Sequence, residues 1–237
     1  MRALFVQQDH VSPVGPIGEQ FARRGYEVEE FLVVPEHRFH SPGVDVTFPD
    51  PGQYDAIVPM GAPWSVYDTS AIGAWVLEEL AFLRQAQAAS VPVLAICFGA
   101  QALATALGGS VERAPAAEVG WRRVRSSEPD LIEAGPWFQW HHDRWTPPPA
   151  ARTLASTDLA PQAFTVGRSL AVQFHPEITV AMLAGWLDNG GGDYLRAAGT
   201  DPADLMARTS AEEAASVTRA TRLVNRFLDL VAARDPG

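Results

Sequence analysis

The stretch from Gln85 to Val111 contains no charged residue, and its apolar pattern changes abruptly in the middle. The run Val-Pro-Val-Leu-Ala-Ile ends at Cys97, passes Gly99 and gives way to the helix-forming residues Ala100 to Leu107. A membrane-spanning helix needs about 20 consistently apolar residues, whereas glutamines, a proline and glycines interrupt this stretch. It therefore predicts a buried strand, a tight turn and a helix.

Cys97 stands at the apex of this predicted turn and is the only cysteine of the chain. The free N–H groups at the start of a helix favour a thiolate there. A single cysteine in apolar surroundings is also typical of a small buried side chain, so both interpretations stay open at this point. One cysteine excludes an internal disulfide framework and suits a reducing compartment, so we expect a cytoplasmic location.

Composition restricts the class of protein. The chain has 237 residues of which 47% are hydrophobic, which suits one α/β domain with additions. Its formal net charge is −10, so binding to nucleic acid or to an anionic membrane is not expected. The first apolar run, Ala3 to Val6, is too short for a signal peptide. His37 and His40 have no carboxylate or cysteine at ligand spacing and predict no metal site.

Strands and helices are predicted to alternate through Leu107, which indicates an open, mainly parallel sheet flanked by helices. Short strands separated by turn residues then predict an antiparallel extension. The predicted strands of the first part are Arg2 to Val6, Tyr26 to Val34 and Tyr54 to Met60, with helices over Gly15 to Arg24 and Ile72 to Ala89. Those of the extension are Gly120 to Val124, Arg152 to Ser156, Gln162 to Val166 and Ser169 to Phe174.

Two further segments have distinctive patterns. Trp137 to Trp145 crowds three tryptophans and two histidines into what we predict to be a loop, closed by three prolines. From Thr179 the chain is expected to be helical, with a break at Asn189 to Gly192. Helices are predicted over Thr179 to Asp188, Ala203 to Arg208 and Ala211 to Ala233, the last with an apolar stripe of Val217, Leu223, Phe227 and Leu230.

Three predicted strand ends carry groups suited to catalysis, and the carboxyl ends of parallel strands meet at one edge of a sheet. One strand ends in Gly61-Ala62-Pro63, the next at Cys97, and a later one in His175-Pro176-Glu177. Nucleophilic catalysis needs a nucleophile, a base and a group that orients the base. Cys97, His175 and Glu177 can fill these roles, since residues two apart in an extended chain point the same way.

The sequence Ala-Ile-Cys97-Phe-Gly-Ala-Gln101, followed by Gln-Phe-His175-Pro-Glu177, resembles the motifs of class I glutamine amidotransferases. Trp140-His141-His142-Asp143 resembles a glutamine-side loop of the branch close to the amidotransferase domain of GMP synthase. The resemblance implies a flavodoxin-like amidotransferase domain over residues 1–188. Residues 189–237 would then be a C-terminal helical extension packed on the same domain.

By this resemblance, Cys97 attacks the side-chain amide of glutamine, His175 protonates the departing ammonia, and Glu177 orients His175. The oxyanion is held by N–H groups of Phe98 and of Gly61 and Ala62. Gln101, His141 and Asp143 help to hold the substrate, and no cofactor or metal is required. Two usual glycines of the family are replaced, by Ala95 and Ala62, which leaves the oxyanion geometry open because alanine is costly where φ is positive.

The resemblance implies a glutaminase that supplies ammonia to a separate synthase or ligase subunit. An alternative is a self-sufficient hydrolase or transferase of γ-glutamyl amides or peptides, in which the aromatic segment accepts a larger leaving group. A non-catalytic scaffold subunit is a third hypothesis, which the intact set of Cys97, His175 and Glu177 disfavours. An α/β-hydrolase esterase is disfavoured because the chain lacks the Gly-x-Ser-x-Gly elbow. The C-terminal helices could also form a homodimer.

Overall fold

One sheet of nine strands organises the computed structural model, which describes residues 1–233 of the chain. The strands are β1 (Arg2–Gln7), β2 (Glu27–Leu32), β3 (Ala56–Pro59), β4 (Val93–Ile96), β5 (Ser110–Ser126), β6 (Gly135–Thr146), β7 (Arg152–Ser156), β8 (Pro161–Val166) and β9 (Ser169–Val172). Their order is β2-β1-β3-β4-β9-β8-β7-β5-β6. In this spatial order, the first five strands, from β2 to β9, pair parallel with their neighbours. The pairs that follow, from β9 to β6, are antiparallel. The predicted fold class is confirmed.

Helices cover both faces of this sheet because successive residues of its buried strands face opposite layers. The helices are α1 (Gly15–Arg23), α2 (Thr69–Ala88), α3 (Phe98–Ala106), α4 (Val180–Trp186), α5 (Gly192–Ala197) and α6 (Pro202–Arg226). Phe5 of β1 packs in one hydrophobic cluster with Phe21 of α1 and Phe227 just beyond α6. Its neighbour Val6 packs in the opposite cluster with Trp75 of α2. The sheet is thus buried between two helical layers.

The aromatic segment from Trp137 to Trp145 is a strand, and our prediction of a loop there was wrong. It belongs to β6, which pairs with β5 along most of its length. Trp137 and Trp145 are 1% and 2% exposed, so they are core residues, whereas Trp140 is only partly buried. The crowding of aromatic side chains hid the alternation of buried and exposed positions that marks the strand.

The predicted strand Gly120 to Val124 is one part of β5, which is 17 residues long. The register of β5 against β6 shifts between Arg113 and Glu118, and the end of β5 pairs with β7 instead. A shift of register bends a strand and increases its twist. β5 can therefore link the hairpin with β6 to the rest of the sheet.

The two helices predicted after Thr200 are a single helix, α6, followed by a last helical turn at Phe227–Val231. Thr209 and Ser210, which separate the two predicted helices in sequence, are compatible with one continuous helix. The indole N–H of Trp121 donates to Thr209 Oγ1 across 3.1 Å, and Thr209 is fully buried. Of the predicted stripe, Leu223 and Phe227 are buried, whereas Leu230 is 49% exposed.

The predicted break before α5 is present. Between α4 and α5, Asn189 and Gly190 leave the helical conformation, with φ of −101° and 101°. The second value lies in the left-handed region that glycine adopts at low cost. The chain consequently turns here and passes across the carboxyl edge of the parallel strands.

Candidate active site

Cys97 forms a sharp elbow between β4 and α3. Its φ of 49° and ψ of −106° are unusual for a residue other than glycine, and such backbone costs of order 1–3 kcal/mol. Two hydrogen bonds hold the elbow: Cys97 N donates to Val172 O across 2.8 Å, and Gly99 N donates to Met60 O across 2.9 Å. The strain places the buried thiol at the start of α3 and at the carboxyl edge of the sheet.

The residues around the elbow must be small. A Cβ on Gly99 would lie 2.2 Å from the carbonyl oxygen of Pro59, so only glycine lets α3 approach β3 this closely. Ala95 and Ala62, which replace usual glycines of the family, do not have positive φ. Alanine therefore costs nothing in backbone strain at these two positions.

His175 and Glu177 form a buried hydrogen-bonded pair just beyond β9. His175 Nδ1 lies 2.7 Å from Glu177 Oε1, and the two residues are 3% and 0% exposed. A carboxylate on Nδ1 selects the tautomer in which Nδ1 carries a proton. The other ring nitrogen, Nε2, has no hydrogen-bond partner within residues 1–233. It is thus available for proton transfer.

Charges around His175 favour its imidazolium form. Burial alone lowers the pKa of His175, but the negative charges of Cys97 and Glu177 and the hydrogen bond to Glu177 outweigh it. The pKa of His175 consequently lies well above its usual range. An imidazolium beside a cysteine is the arrangement that cysteine nucleophiles use.

Gly61 lies between Cys97 and His175. A Cβ at this position would be 2.9 Å from His175 Cε1 and 3.7 Å from Cys97 Cβ. The lack of a side chain leaves backbone N–H groups beside the nucleophile. Phe98 is the first residue of α3, so its N–H has no acceptor within the helix. The predicted oxyanion residues Gly61, Ala62 and Phe98 are therefore brought to the same place as the three candidate catalytic groups.

A pocket of about 270 Å³ opens at Cys97, and the other residues that we predicted to bind substrate line it. Its walls include Ala62, Phe98, Gln101, His141 and Asp143. They also include Arg113, Asn189, Gly190 and Tyr194, which the sequence did not indicate. The segment before α5 thereby contributes part of the wall.

The polar wall of this pocket is held by hydrogen bonds. The carboxylate of Asp143 accepts from Ser65 Oγ at 2.5 Å and from Tyr67 OH at 2.9 Å. His141 Nδ1 lies 2.9 Å from the carbonyl oxygen of Asp143, and its Nε2 lies 3.4 Å from Glu118 Oε2. Asp143 is thus a fixed, buried negative charge at the pocket.

Gln101 is held by a residue that we overlooked. The side-chain amide of Gln101 donates to Gln173 Oε1 across 3.2 Å, and Gln173 Nε2 lies 3.5 Å from Cys97 Sγ. Gln173 is fully buried and belongs to the Gln-Phe-His-Pro-Glu motif. A polar residue in an otherwise apolar strand was the signal for it, because buried amides need partners.

Residues 1–233 contain no group of three or more His, Cys, Asp or Glu side chains arranged to hold a metal ion. In the same part of the chain, the helices that are long enough to cross a bilayer are too polar to do so.

Comparison with known proteins agrees with this geometry. The model of the family "Glutamine amidotransferase class-I" matches residues 19–184. The chain belongs to the class I glutamine amidotransferase family. Members of this family are cysteine-dependent amide hydrolases. This match bears out the resemblance found in the sequence motifs.

Relatives of this amidotransferase include the GMP synthase [glutamine-hydrolyzing] of Parafrankia sp., which is 40% identical over 132 residues. That alignment covers 52% of this chain and 23% of the relative. The chain spans between 19% and 25% of the length of such curated relatives. The match therefore concerns only one part of those proteins.

Two solved structures share the fold over nearly the whole chain. A glutamine amidotransferase from Thermotoga maritima has a TM-score of 0.83 at 22% identity, covering 97% of this chain and 98% of its own. A glutamine amido transferase from Methylobacillus flagellatus has the same TM-score and identity, covering 100% and 96%. At this identity the likeness concerns the fold.

Proposed function

We propose that this amidotransferase hydrolyses the side-chain amide of glutamine through a thioester on Cys97 and supplies the ammonia to a separate synthase. The observation that carries the proposal is the strained Cys97 elbow beside His175, whose Nδ1 is bound by the buried Glu177. Nucleophile, proton carrier and orienting carboxylate are the parts that thioester chemistry needs.

In the first half of the reaction, the thiolate of Cys97 attacks the amide carbon. The N–H groups of Gly61, Ala62 and Phe98 are the donors for the oxyanion, and one such donor is worth about 3 to 4 kcal/mol of barrier. His175 Nε2 then gives its proton to the nitrogen as the C–N bond breaks. Glu177 keeps the imidazole in the required tautomer, and ammonia leaves.

In the second half, water attacks the thioester carbon. The now neutral His175 takes a proton from this water, the C–S bond breaks, and glutamate is released. The thiolate and imidazolium pair is restored. One water is consumed, and one glutamate and one ammonia are formed.

The pocket at Cys97 suits the amino acid end of glutamine. It places one cation, Arg113, and one fixed anion, Asp143, among its walls. We assign Arg113 to the α-carboxylate and Asp143 to the α-ammonium group, since opposite charges recognise the two ends of a zwitterion. His141 and Gln101 support this wall and the nucleophile.

The ammonia acceptor is proposed to be a synthase or ligase outside these 237 residues. The proposal is supported by relatives that are glutamine-hydrolysing GMP synthases and of which the chain matches at most about a quarter. We further propose that residues 189–237 belong to the same domain as residues 1–188. Support comes from Ala220, Leu223 and Val224, which share a hydrophobic cluster with β1 and α1.

The test is glutaminase activity of the purified chain, measured as glutamate and ammonia, together with labelling of Cys97 by an alkylating glutamine analogue. We expect both, and we expect Cys97→Ala to abolish both while the circular dichroism spectrum is retained. A wild-type protein that neither releases ammonia nor is labelled, alone or with a synthase, would contradict the proposal and favour a scaffold role.

A further inference from the structure

A second cavity, of about 110 Å³, adjoins the pocket at Cys97. We call it the side cavity. His175 and Gly61 line it, and Cys97 does not. The residues that it shares with the larger pocket are Ala62, Pro63, Trp140, Asn189 and Gly191. The two spaces therefore meet beside His175, at the point where a leaving group would receive its proton.

The far wall of the side cavity is aromatic and apolar, built by Val11, Phe39 and Trp186. Trp186 is fixed in place because its indole N–H donates to Val11 O across 3.1 Å, and its ring centroid lies 4.9 Å from that of His175. Such a wall favours a hydrocarbon group over a polar one, since burial of apolar surface is favourable.

The side cavity is larger than departing ammonia needs. A water molecule takes about 30 Å³ in the liquid, and a cavity of about 150 Å³ holds benzene. A cavity of 110 Å³ thus has room for a branched alkyl group of about four carbons. Ammonia alone would leave most of the aromatic wall without a contact.

The charge of the cavity lining restricts the class of substituent further. Besides His175, the ionisable residue that lines it within the described chain is Asp9, which is 2% exposed and accepts a hydrogen bond from Val11 N at 2.9 Å. Among residues 1–233, no arginine lines the cavity to receive a carboxylate. An amino acid as leaving group would bring a second carboxylate into a lining that already contains Asp9 and has no arginine to pair with it, which is costly.

We propose that the side cavity binds the N-substituent of γ-glutamyl amides, and that the preferred substrates carry a small, uncharged alkyl group on the amide nitrogen. This inference rests on the proposed thioester chemistry of Cys97. It adds a substrate class, the γ-glutamyl alkylamides, and it excludes γ-glutamyl dipeptides.

The reaction balances without a further reactant. Cys97 Sγ forms a bond to the γ-carbonyl carbon, the C–N bond breaks, and the proton on His175 Nε2 goes to the nitrogen, so that a primary alkylamine leaves. Water then donates a proton to His175 and its hydroxyl to the thioester carbon, the C–S bond breaks, and the thiolate of Cys97 is restored. The net change is γ-glutamyl alkylamide plus water to glutamate plus alkylamine.

The test compares three substrates with the full-length protein: glutamine, γ-glutamylisobutylamide and γ-glutamylglycine. The last two have leaving groups of the same branched shape but differ in charge. We expect kcat/KM for the isobutylamide to exceed that for glutamine, and to exceed that for γ-glutamylglycine at least about tenfold. An isobutylamide value at or below that of glutamine, with glutamine turned over, overturns the inference and leaves the proposed function standing.

Failure of the proposed thioester chemistry would be recognised separately, because none of the three substrates would then release glutamate or acylate Cys97, as judged by a glutamate assay and the intact protein mass. That outcome would overturn the inference as well. Acylation by the isobutylamide in preference to glutamine supports the inference and the thioester chemistry of Cys97 on which it rests.

A substitution in the side cavity tests whether the alkyl group binds there. Val11→Phe narrows the side cavity, and Val217→Phe on α6 is a matched control at a partly buried valine outside the site. We expect Val11→Phe to lower the ratio of kcat/KM for the isobutylamide to that for glutamine at least about tenfold, and Val217→Phe to leave the ratio unchanged. A folded Val11→Phe protein with the wild-type ratio would overturn the assignment of the cavity.

Discussion

The amide nitrogen of Gln173 lies 3.5 Å from the sulfur of Cys97 and directs a hydrogen atom toward it. The oxygen of the same amide accepts from Gln101, which fixes the orientation of Gln173. Both glutamines are buried, at 0% and 3% exposure. We therefore propose Gln173 as a positioning residue for Cys97. The hydrogen bonds from Gln101 to Gln173 and from Gln173 to Cys97 link the start of α3 to the segment beyond β9 that contains His175.

Replacing Gln173 by glutamate should slow the reaction without changing the shape of the site. Gln173→Glu removes the N–H donor and adds a negative charge beside the sulfur. A hydrogen bond to a charged group contributes about 1.5–3 kcal/mol, so kcat/KM and the rate of Cys97 alkylation should both fall roughly ten- to a hundredfold.

Gln87→Glu serves as the control for that substitution. Gln87 also accepts a hydrogen bond through its side-chain oxygen, from Ser169, but lies away from the site. We expect wild-type alkylation and turnover for it. Equal rates for Gln173→Glu and Gln87→Glu would show that Gln173 acts only in packing.

Gly61→Ala should damage catalysis and leave the fold intact. The added Cβ would meet His175 Cε1 at 2.9 Å, so the imidazole must move away from Cys97. A displacement of about 1 Å in a catalytic group can cost about a hundredfold in rate. Steady-state kinetics and thermal unfolding measure the two effects. Gly185→Ala is the control because, apart from its chain neighbours and the backbone of its own helix, no described atom lies within 4 Å of its added Cβ. A wild-type kcat for Gly61→Ala would contradict the role of this close approach.

Glu177→Gln tests the orientation of the imidazole. The amide keeps the volume of the carboxylate, but it can present its NH₂ group to His175 Nδ1 and thereby select the wrong tautomer. We expect kcat to fall about 10³- to 10⁴-fold, with a smaller change in KM. A loss of less than about tenfold, measured in the same assay with a protein of wild-type stability, would show that Glu177 does not orient the base.

The sequence predicted the parallel half of the fold well, because its strands and helices have clear apolar runs and distinct ends. It failed where neighbouring strands, rather than local pattern, decide the conformation. Trp137 to Trp145 pairs with β5 and becomes a strand. Likewise Thr209 lies inside α6, where its side-chain oxygen accepts a hydrogen bond from the indole of Trp121, 88 residues away in sequence. Neither contact can be seen in a local window.

For the candidate site, the sequence indicated the three candidate catalytic groups and some residues around them, namely Gln101, His141 and Asp143, but it did not indicate the others. Cys97, His175 and Glu177 stand in short motifs at predicted strand ends, and the resemblance of these motifs to the family implies their roles. Other residues of the site come from separate elements and approach each other only in the folded chain, namely Arg113, Tyr67 and Trp186. Gln173 was visible in a motif, yet its role depends on which way its side chain points. A sequence pattern does not reveal such contacts, because they depend on the positions of the elements in the folded chain.

Glu79 of α2 is a buried carboxyl group that takes no part in the proposed chemistry. It is fully buried, and Gln8 Nε2 donates to its Oε1 across 2.7 Å, while its Oε2 has no hydrogen-bond partner within residues 1–233. Burial raises the pKa of Glu79 to about 8, and the bond from Gln8 offsets this only in part. The folded protein therefore binds a proton at Glu79 that the unfolded chain releases above pH 4.5, the ordinary pKa of a glutamate side chain.

This proton links stability to pH. Between pH 4.5 and about 8 the folded state holds more protons than the unfolded state, so rising pH lowers the free energy of unfolding through this window. The loss is up to about 1.4 kcal/mol per pH unit. Glu79→Gln stays neutral, so its urea unfolding midpoint should change less than that of the wild type between about pH 6 and 8, and at about pH 8 it should be the more stable protein. If the urea unfolding midpoints of the two proteins changed equally with pH over this range, Glu79 would be ionised in the folded state across the whole range, which would contradict the prediction.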